Sequence, residues 1–265
     1  MKFKYNLTAE QIEVNWRIFL DYIERYISSP RKQQLLDFYK KHEDELILMP
    51  ASHKRAYHNA IPGGYIDHVT RVVDCALRLH EVWGDMGSNQ DVYSIEELVF
   101  SALNHDLGKM GDGKEYSHIP SKDQWRKDNL GEMYGFNLKI QYMPVPERSL
   151  FLLTQEGIKI SANEWIAIKT HDGLYDEANS AYLKSYIPET KPRTSLPYII
   201  HQADIMAARI EFEREYLEEL NSGQKQKPQK ANKNYKINNQ TKAKAVKSTV
   251  KNPQNFNNTL SEFFD

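Results

Sequence analysis

His105 and Asp106 stand side by side at the end of an apolar segment, SALNHDLGKMGDG (residues 101–113), after which the chain breaks into glycines. Imidazole and carboxylate are the side chains that borderline divalent metals accept. The pair therefore reads either as a helix end with a solvated charge or as half of a metal site. Three other segments carry the same residue types at interpretable positions. His68, in IPGGYIDHVTRVV, falls at the start of a helical pattern on its apolar side, one step before Val72. His171 and Asp172 end the segment NEWIAIKTHDG. His201 and Asp204 sit three apart in YIIHQADIMAARIE, hence on one helix face. Singly, each fits a packed histidine or a solvated helix end. Together they are harder to explain that way, because Asp204 has Ala203, Ile205 and Met206 as neighbours and is costly to bury without a partner or a cation. His68, His105, Asp106 and Asp204 would supply two imidazoles and two carboxylates, leaving positions open for water and substrate.

The elements that must position these residues read as helices, so the fold class expected is all-α. Thr8 with Gln11 forms a capping box ahead of Ile12, Trp16, Phe19, Ile23 and Ile27 at helical spacing. A second helix restarts at Pro30, carries Leu35, Phe38 and His42 and ends near Leu48. A long amphipathic segment runs from Tyr65 to Trp83, with Val69, Val72, Val73, Ala76 and Leu79 inward. Ser94 with Glu97 and Ser161 with Glu164 cap two further helices, PERSLFLLTQEG reads as a short one, and a last long helix spans Leu196 to Leu220. Residues 111–145 are irregular and rich in aromatic and polar side chains, and KIQYM and GIKIS are candidate short strands.

Composition is that of an ordinary soluble protein, and the single cysteine, Cys75, excludes an internal disulfide and fits a reducing setting. The start of the chain lacks the apolar core of a signal peptide, and no apolar run is long enough to span a membrane, so a cytoplasmic location is expected. The formal net charge of −1 hides an asymmetry. Residues 222–258 carry nine lysines and no acid, and the last seven residues carry two acids, which leaves −8 on residues 1–221. An acidic body argues against a broad nucleic-acid-binding surface, although bound cations would offset part of that charge locally. Residues 222–255, rich in Lys, Asn and Gln, read as a disordered linker. Phe256, Leu260, Phe263 and Phe264 then return at near-helical spacing, so residues 256–265 read as a peptide that folds back on the body or docks on a partner.

The arrangement H…HD…D in a helical chain resembles the HD superfamily of metal-dependent phosphohydrolases. PGGYIDH resembles that family's Gly-Gly-x-x-x-His element, HDLGK its His-Asp-x-Gly-Lys element, and HQAD its final aspartate helix. YHNAIPGGYIDHV and IIHQAD look most like the HD module of bacterial 3′→5′ exoribonucleases. Here residues 1–49 read as a helical extension where those enzymes carry an OB-type domain, and Ala207 stands where a second acid is expected. The resemblance implies an HD domain over residues 50–221, built as a helical bundle with an irregular insertion.

It also implies that His68, His105, Asp106 and Asp204 hold one or two divalent ions, which could be Mn, Fe, Ni, Co, Zn or Mg. His171 would bind a second ion or protonate the leaving group, and His201 would assist either site or pack in the core. Lys109 would neutralise a phosphate oxygen. Expected substrate contacts are His53 and His58, from the loop before the first ligand, and the aromatic segment. There Tyr116, Trp125 and Tyr134 would stack a base, and Arg126, Lys122 and Lys127 would meet phosphates, unless the segment is a lid packed on the bundle. His42, His80 and His118 read as structural or surface residues. The activity implied is phosphoester hydrolysis, by attack of metal-activated hydroxide, on a nucleotide or a single-stranded nucleic-acid 3′ end. A small-molecule nucleotidase and a non-catalytic nucleotide-binding module signalling through its tail are the alternatives. LSEFFD in residues 256–265 resembles the short apolar-acidic peptides that dock replication clamps, which implies such a protein partner.

Overall fold

The Thr8 hydroxyl accepts from the Gln11 N–H, and the Gln11 side chain accepts in return from the Thr8 N–H, so α1 (Ala9–Tyr26) starts where the capping box places it. The structure, a computed structural model, describes residues 5–223, with side chains to 216. The expected linker and terminal peptide lie outside the described residues. Trp16, Phe19 and Ile23 form the buried stripe of α1. The helix expected from Pro30 to about Leu48 is split into α2 (Arg31–Lys41) and a single turn, α3 (Glu43–Leu46).

Two glycines set the start of α4 (Gly64–Asp85). Gly63 takes the left-handed conformation at φ 77°, and a Cβ on Gly64 would come within 2.1 Å of the Asn59 carbonyl oxygen. The close approach locks the residue 50–63 loop against the helix one turn ahead of His68. Val69, Val72, Val73 and Ala76 are buried as their spacing requires. Capping boxes at Ser94–Glu97 and Ser161–Glu164 are both formed, and they open α5 (Ile95–Asn104) and, later, the helix that ends at His171.

The irregular region begins with a 3₁₀ turn, Leu107–Met110, and holds the chain's two strands among the described residues. β1 (His118–Pro120) and β2 (Tyr134–Phe136) pair antiparallel around α6 (Gln124–Leu130), with His118 opposite Phe136. KIQYM and GIKIS are not strands. In GIKIS the alternation has another cause: Ile158 and Ile160 pack on the core, and the Ile158 N–H closes onto Leu153 O at the end of a helix, with no ladder formed. That helix is α7 (Val145–Gln155), followed by α8 (Ala162–Thr170), a turn α9 (Ser180–Leu183) and the long α10 (Leu196–Gly223).

Packing follows from these faces. α10 lies along α4 and α8, α5 fits between α4 and α8, and α7 packs on the 3₁₀ turn. One apolar core runs from Trp16 and Phe19 through Leu98, Phe100 and Leu103 to Ile199 and Ala203. Fully burying side chains such as Phe19, Phe100 and Leu103 stabilises by about 1.5–3 kcal/mol each. The N-terminal helices thus share the core on which α4, α5, α8 and α10 rest. Among the described residues no helix is long and apolar enough to cross a membrane.

Candidate metal centre

α5 and α8 end in the same way. Each finishes on a histidine in helical conformation followed by an aspartate, His105–Asp106 and His171–Asp172. Each imidazole donates its Nδ1–H back to the carbonyl three residues earlier, His105 to Ala102 at 2.7 Å and His171 to Ile168 at 2.8 Å. A ring that has committed Nδ1 in this way can offer only Nε2 as a ligand. His68, one turn into α4, reaches the same state through a carboxylate: its Nδ1 lies 3.1 Å from Glu211 on α10. Three helices therefore aim three Nε2 atoms at one place.

Two carboxylates meet them there. His68 Nε2 is 3.1 Å from Asp204 Oδ1 and 3.6 Å from Asp106 Oδ2, and His105 Nε2 is 3.8 and 3.5 Å from the same atoms. The other oxygen of Asp106, Oδ1, faces His171 Nε2 at 3.5 Å, and Asp172 Oδ1 is 3.6 Å from that nitrogen. Asp106 thus has one oxygen toward the His68–His105 side and one toward His171. Asp204 belongs to both groupings, with His68 and His105 and with His171 and Asp172. The buried Nε2 atoms of His68 and His105 have no hydrogen-bond partner among the described residues, although the Asp106 and Asp204 oxygens lie between 3.1 and 3.8 Å away. Orphaned nitrogens are costly in a core unless something else takes their lone pairs. The donor set of imidazole and carboxylate fits a divalent cation, so these clusters can hold a metal ion.

The electrostatics point the same way. Burial disfavours a charged His68, yet the Glu211 and Asp204 carboxylates outweigh it and raise its pKa to about 10. Burial likewise opposes a charged His171, and Asp172 and Asp106 raise its pKa to about 9. Asp106 is held well below the usual carboxylate range: burial is outweighed by Lys109 and His105. Asp204 is lowered too, against burial, by His68 and His105. Without a metal, protons on His68 and His171 offset the carboxylates; a cation in the cluster would take over that task.

Lys109 follows on the 3₁₀ turn, and its ammonium donates to Asp106 Oδ2. Gly108 makes this turn possible. A Cβ there would meet Val145 O at 2.2 Å, while the Gly108 N–H donates to Ser149 Oγ at 2.7 Å, which pins the turn to α7. Asp106, Lys109, His171, Asp172 and Asp204 open onto a cleft of about 1220 Å3. His53 and His58 line it as well. Tyr116, Trp125, Arg126 and Tyr134 lie outside its wall. Trp125 is exposed on α6, and Arg126 is paired with Glu132 at 2.7 Å. Lys122 and Lys127 are absent from the wall too. His118, read from the sequence as structural or surface, faces the cleft. His201 serves the site indirectly: its Nδ1 donates to the His171 carbonyl at 2.6 Å, and its ring fills the space above Gly173 that a Cβ would occupy.

Glu211 was missed by the sequence reading, although a signal for it was present. It lies seven residues after Asp204, two turns along the same face of α10, while Ala207 between them is buried in the core. Its carboxylate is fully buried and holds His58 Nδ1 at 2.9 Å, His68 Nδ1 and Arg71 Nε at 3.2 Å. Against burial, His68 and His58 lower its pKa to about 2. Replacing a carboxylate that orients a metal-ligating histidine costs about 10–100-fold in metal affinity. Glu211→Gln is therefore expected to weaken divalent-metal binding by that factor, as read by calorimetry, with little change in helicity.

No family model matches this chain, and neither a curated protein nor a solved structure is significantly similar to it.

Proposed function

We propose that the chain is a metal-dependent phosphohydrolase of the HD type that cleaves a phosphoester of a nucleotide. One observation carries this reading: the unpartnered, buried Nε2 atoms of His68 and His105 converge with Asp106 and Asp204, and those two carboxylates and Lys109 line an open cleft. His68, His105, Asp106 and Asp204 would hold a first ion. His171 and Asp172 would hold a second, with Asp106 and Asp204 turned toward both. Bound there, a divalent ion supplies Lewis acidity to a phosphoryl oxygen and lowers the pKa of water to near neutrality. The chain's own groups do the rest. Lys109, swinging from Asp106, neutralises a phosphate oxygen. Glu211 and Arg71 keep His68 in the correct tautomer, and the His201 bond holds the His171 backbone in place.

Substrate length has observations on both sides. Among the described residues, the basic side chains in the cleft wall are Lys109, Arg148 and Arg209, and Arg148 is committed to the Gly108 and Gln141 carbonyls. So few available phosphate contacts favour a mononucleotide or short substrate. The nine lysines of residues 222–258 favour a polymer by electrostatic attraction. Turnover of mononucleotides, deoxynucleoside triphosphates and short oligonucleotides with each divalent metal decides between them. Metal-dependent phosphate or nucleotide release, abolished by chelator, is expected. Absence of turnover on every phosphoester with every metal contradicts the reading, and binding without turnover leaves a nucleotide-sensing module in its place.

A further inference from the structure

The cleft has an aromatic side that the metal cluster does not use. His53 and Tyr57 come from the loop ahead of α4, and His118 and Phe136 are the facing residues of the β1–β2 pair. The His53 ring lies 4.8 Å from Phe136, 5.2 Å from Tyr57 and 6.4 Å from His118, nearly parallel to the last at 21°. His118 and Phe136 are 5.5 Å apart. Phe136 and Tyr57 remain 60% and 53% exposed, while His53 and His118 are partly buried.

The backbone beneath them is tied on both sides. His53 O accepts from the N–H groups of Met133 and Tyr134, Arg55 N–H donates to Gly131 O, and Lys54 Nζ pairs with Glu132 at 2.8 Å. A set of aromatic rings tied to one backbone framework, two of them exposed in the cleft, is suited to a flat, partly apolar ligand. Their surroundings disfavour the charged form of both imidazoles. Burial, then Lys54, lowers His53, and burial, then Lys109, pushes His118 down to about 4. Neither imidazole is favoured to supply a positive charge to a phosphate, so what the wall offers is ring surface. Lys109 lines the same cleft as the four rings.

We propose that His53, Tyr57, His118 and Phe136 form a base-binding wall that takes the aromatic base of a nucleotide whose phosphate lies at Lys109. The place given to the phosphate rests on the phosphohydrolase reading; the binding of the base does not. Base–aromatic stacking tolerates any base, so the wall selects for the presence of a base and not for its sequence.

The test is equilibrium binding to the full chain in chelator, where no metal-dependent turnover occurs, with adenosine 5′-monophosphate and ribose 5-phosphate as probes. The nucleotide is expected to bind about tenfold more tightly than the sugar phosphate, about 1.4 kcal/mol. Phe136→Ala should erase that difference, Phe136→Trp should keep it, and neither should change ribose 5-phosphate binding. His53→Ala, on the other side of the wall, should reduce the preference as well. Equal affinity for the two probes, equal weakening of both by Phe136→Ala, or no saturable nucleotide binding would each overturn the wall. Hydrolysis is scored separately with metal restored. Base-dependent binding without any turnover removes the phosphohydrolase reading and leaves the wall, and turnover indifferent to the base does the reverse.

Discussion

Asp106→Asn is expected to abolish both divalent-metal binding and hydrolysis while leaving the far-ultraviolet circular dichroism unchanged. Asp106 has Oδ2 toward His68 and His105 and Oδ1 toward His171, so a single amide in its place disrupts every grouping that it joins. An amide nitrogen cannot ligate, and the neutral side chain no longer offsets Lys109 or the imidazoles. Residues that merely orient metal ligands cost about 10–100-fold when lost, so removing this carboxylate should exceed that range. Helicity should persist because the surrounding helices rest on the apolar core from Phe19 to Ile199, which the substitution does not touch. Metal analysis by inductively coupled plasma spectrometry, beside turnover and circular dichroism, checks all three parts. A variant that retains metal at the wild-type ratio would refute the ligand assignment.

The second large effect is on pH dependence. In the metal-free chain, His68 at about 10 and His171 at about 9 lie above the unfolded histidine value of about 6.5. Groups with raised pKa values stabilise the fold fully below the unfolded value, and that contribution is lost as pH rises through the folded ones. Asp106, Asp204 and Glu211 are all depressed, so their contribution is present above their unfolded values of about 4 and lost as pH falls. The metal-free chain should therefore be most stable between about pH 4.5 and 6.5 and melt at progressively lower temperature toward pH 10. A metal must displace the protons on His68 and His171. Its affinity should rise by about ten- to hundredfold per pH unit between pH 6 and 8, according to whether one or both histidines are deprotonated. Saturating Mn2+ should flatten the alkaline decline. Thermal melts with and without Mn2+, and calorimetric affinities at three pH values, measure this. Affinity independent of pH would mean that the imidazoles are not ligands.

What was legible in the sequence follows from local chemistry. Capping boxes are written in three or four adjacent residues, and all three were formed where Thr8, Ser94 and Ser161 placed them. His68, His105, Asp106 and Asp204 stood out because polar ligands are expensive among apolar neighbours, and they do converge. Other features depend on tertiary register. The strands His118–Pro120 and Tyr134–Phe136 are three residues long and carry no alternation to detect. Which aromatic rings face the cleft is decided by that pairing: it turns His118 and Phe136 inward and leaves Trp125 on the outer helix. Glu211 looked like one more charge on a long acidic helix. Its burial comes from α4 packing along α10, which brings His68 and Arg71 to it.

The central claim is that four side chains from three helices form one metal centre. Anomalous diffraction from crystals loaded with Mn2+ tests it most directly. A peak in contact with His68 Nε2, His105 Nε2, Asp106 and Asp204 is the result expected, with a second beside His171 and Asp172 if two ions bind. A loaded crystal with its anomalous peaks elsewhere, and none between His68 and Asp204, would contradict the account.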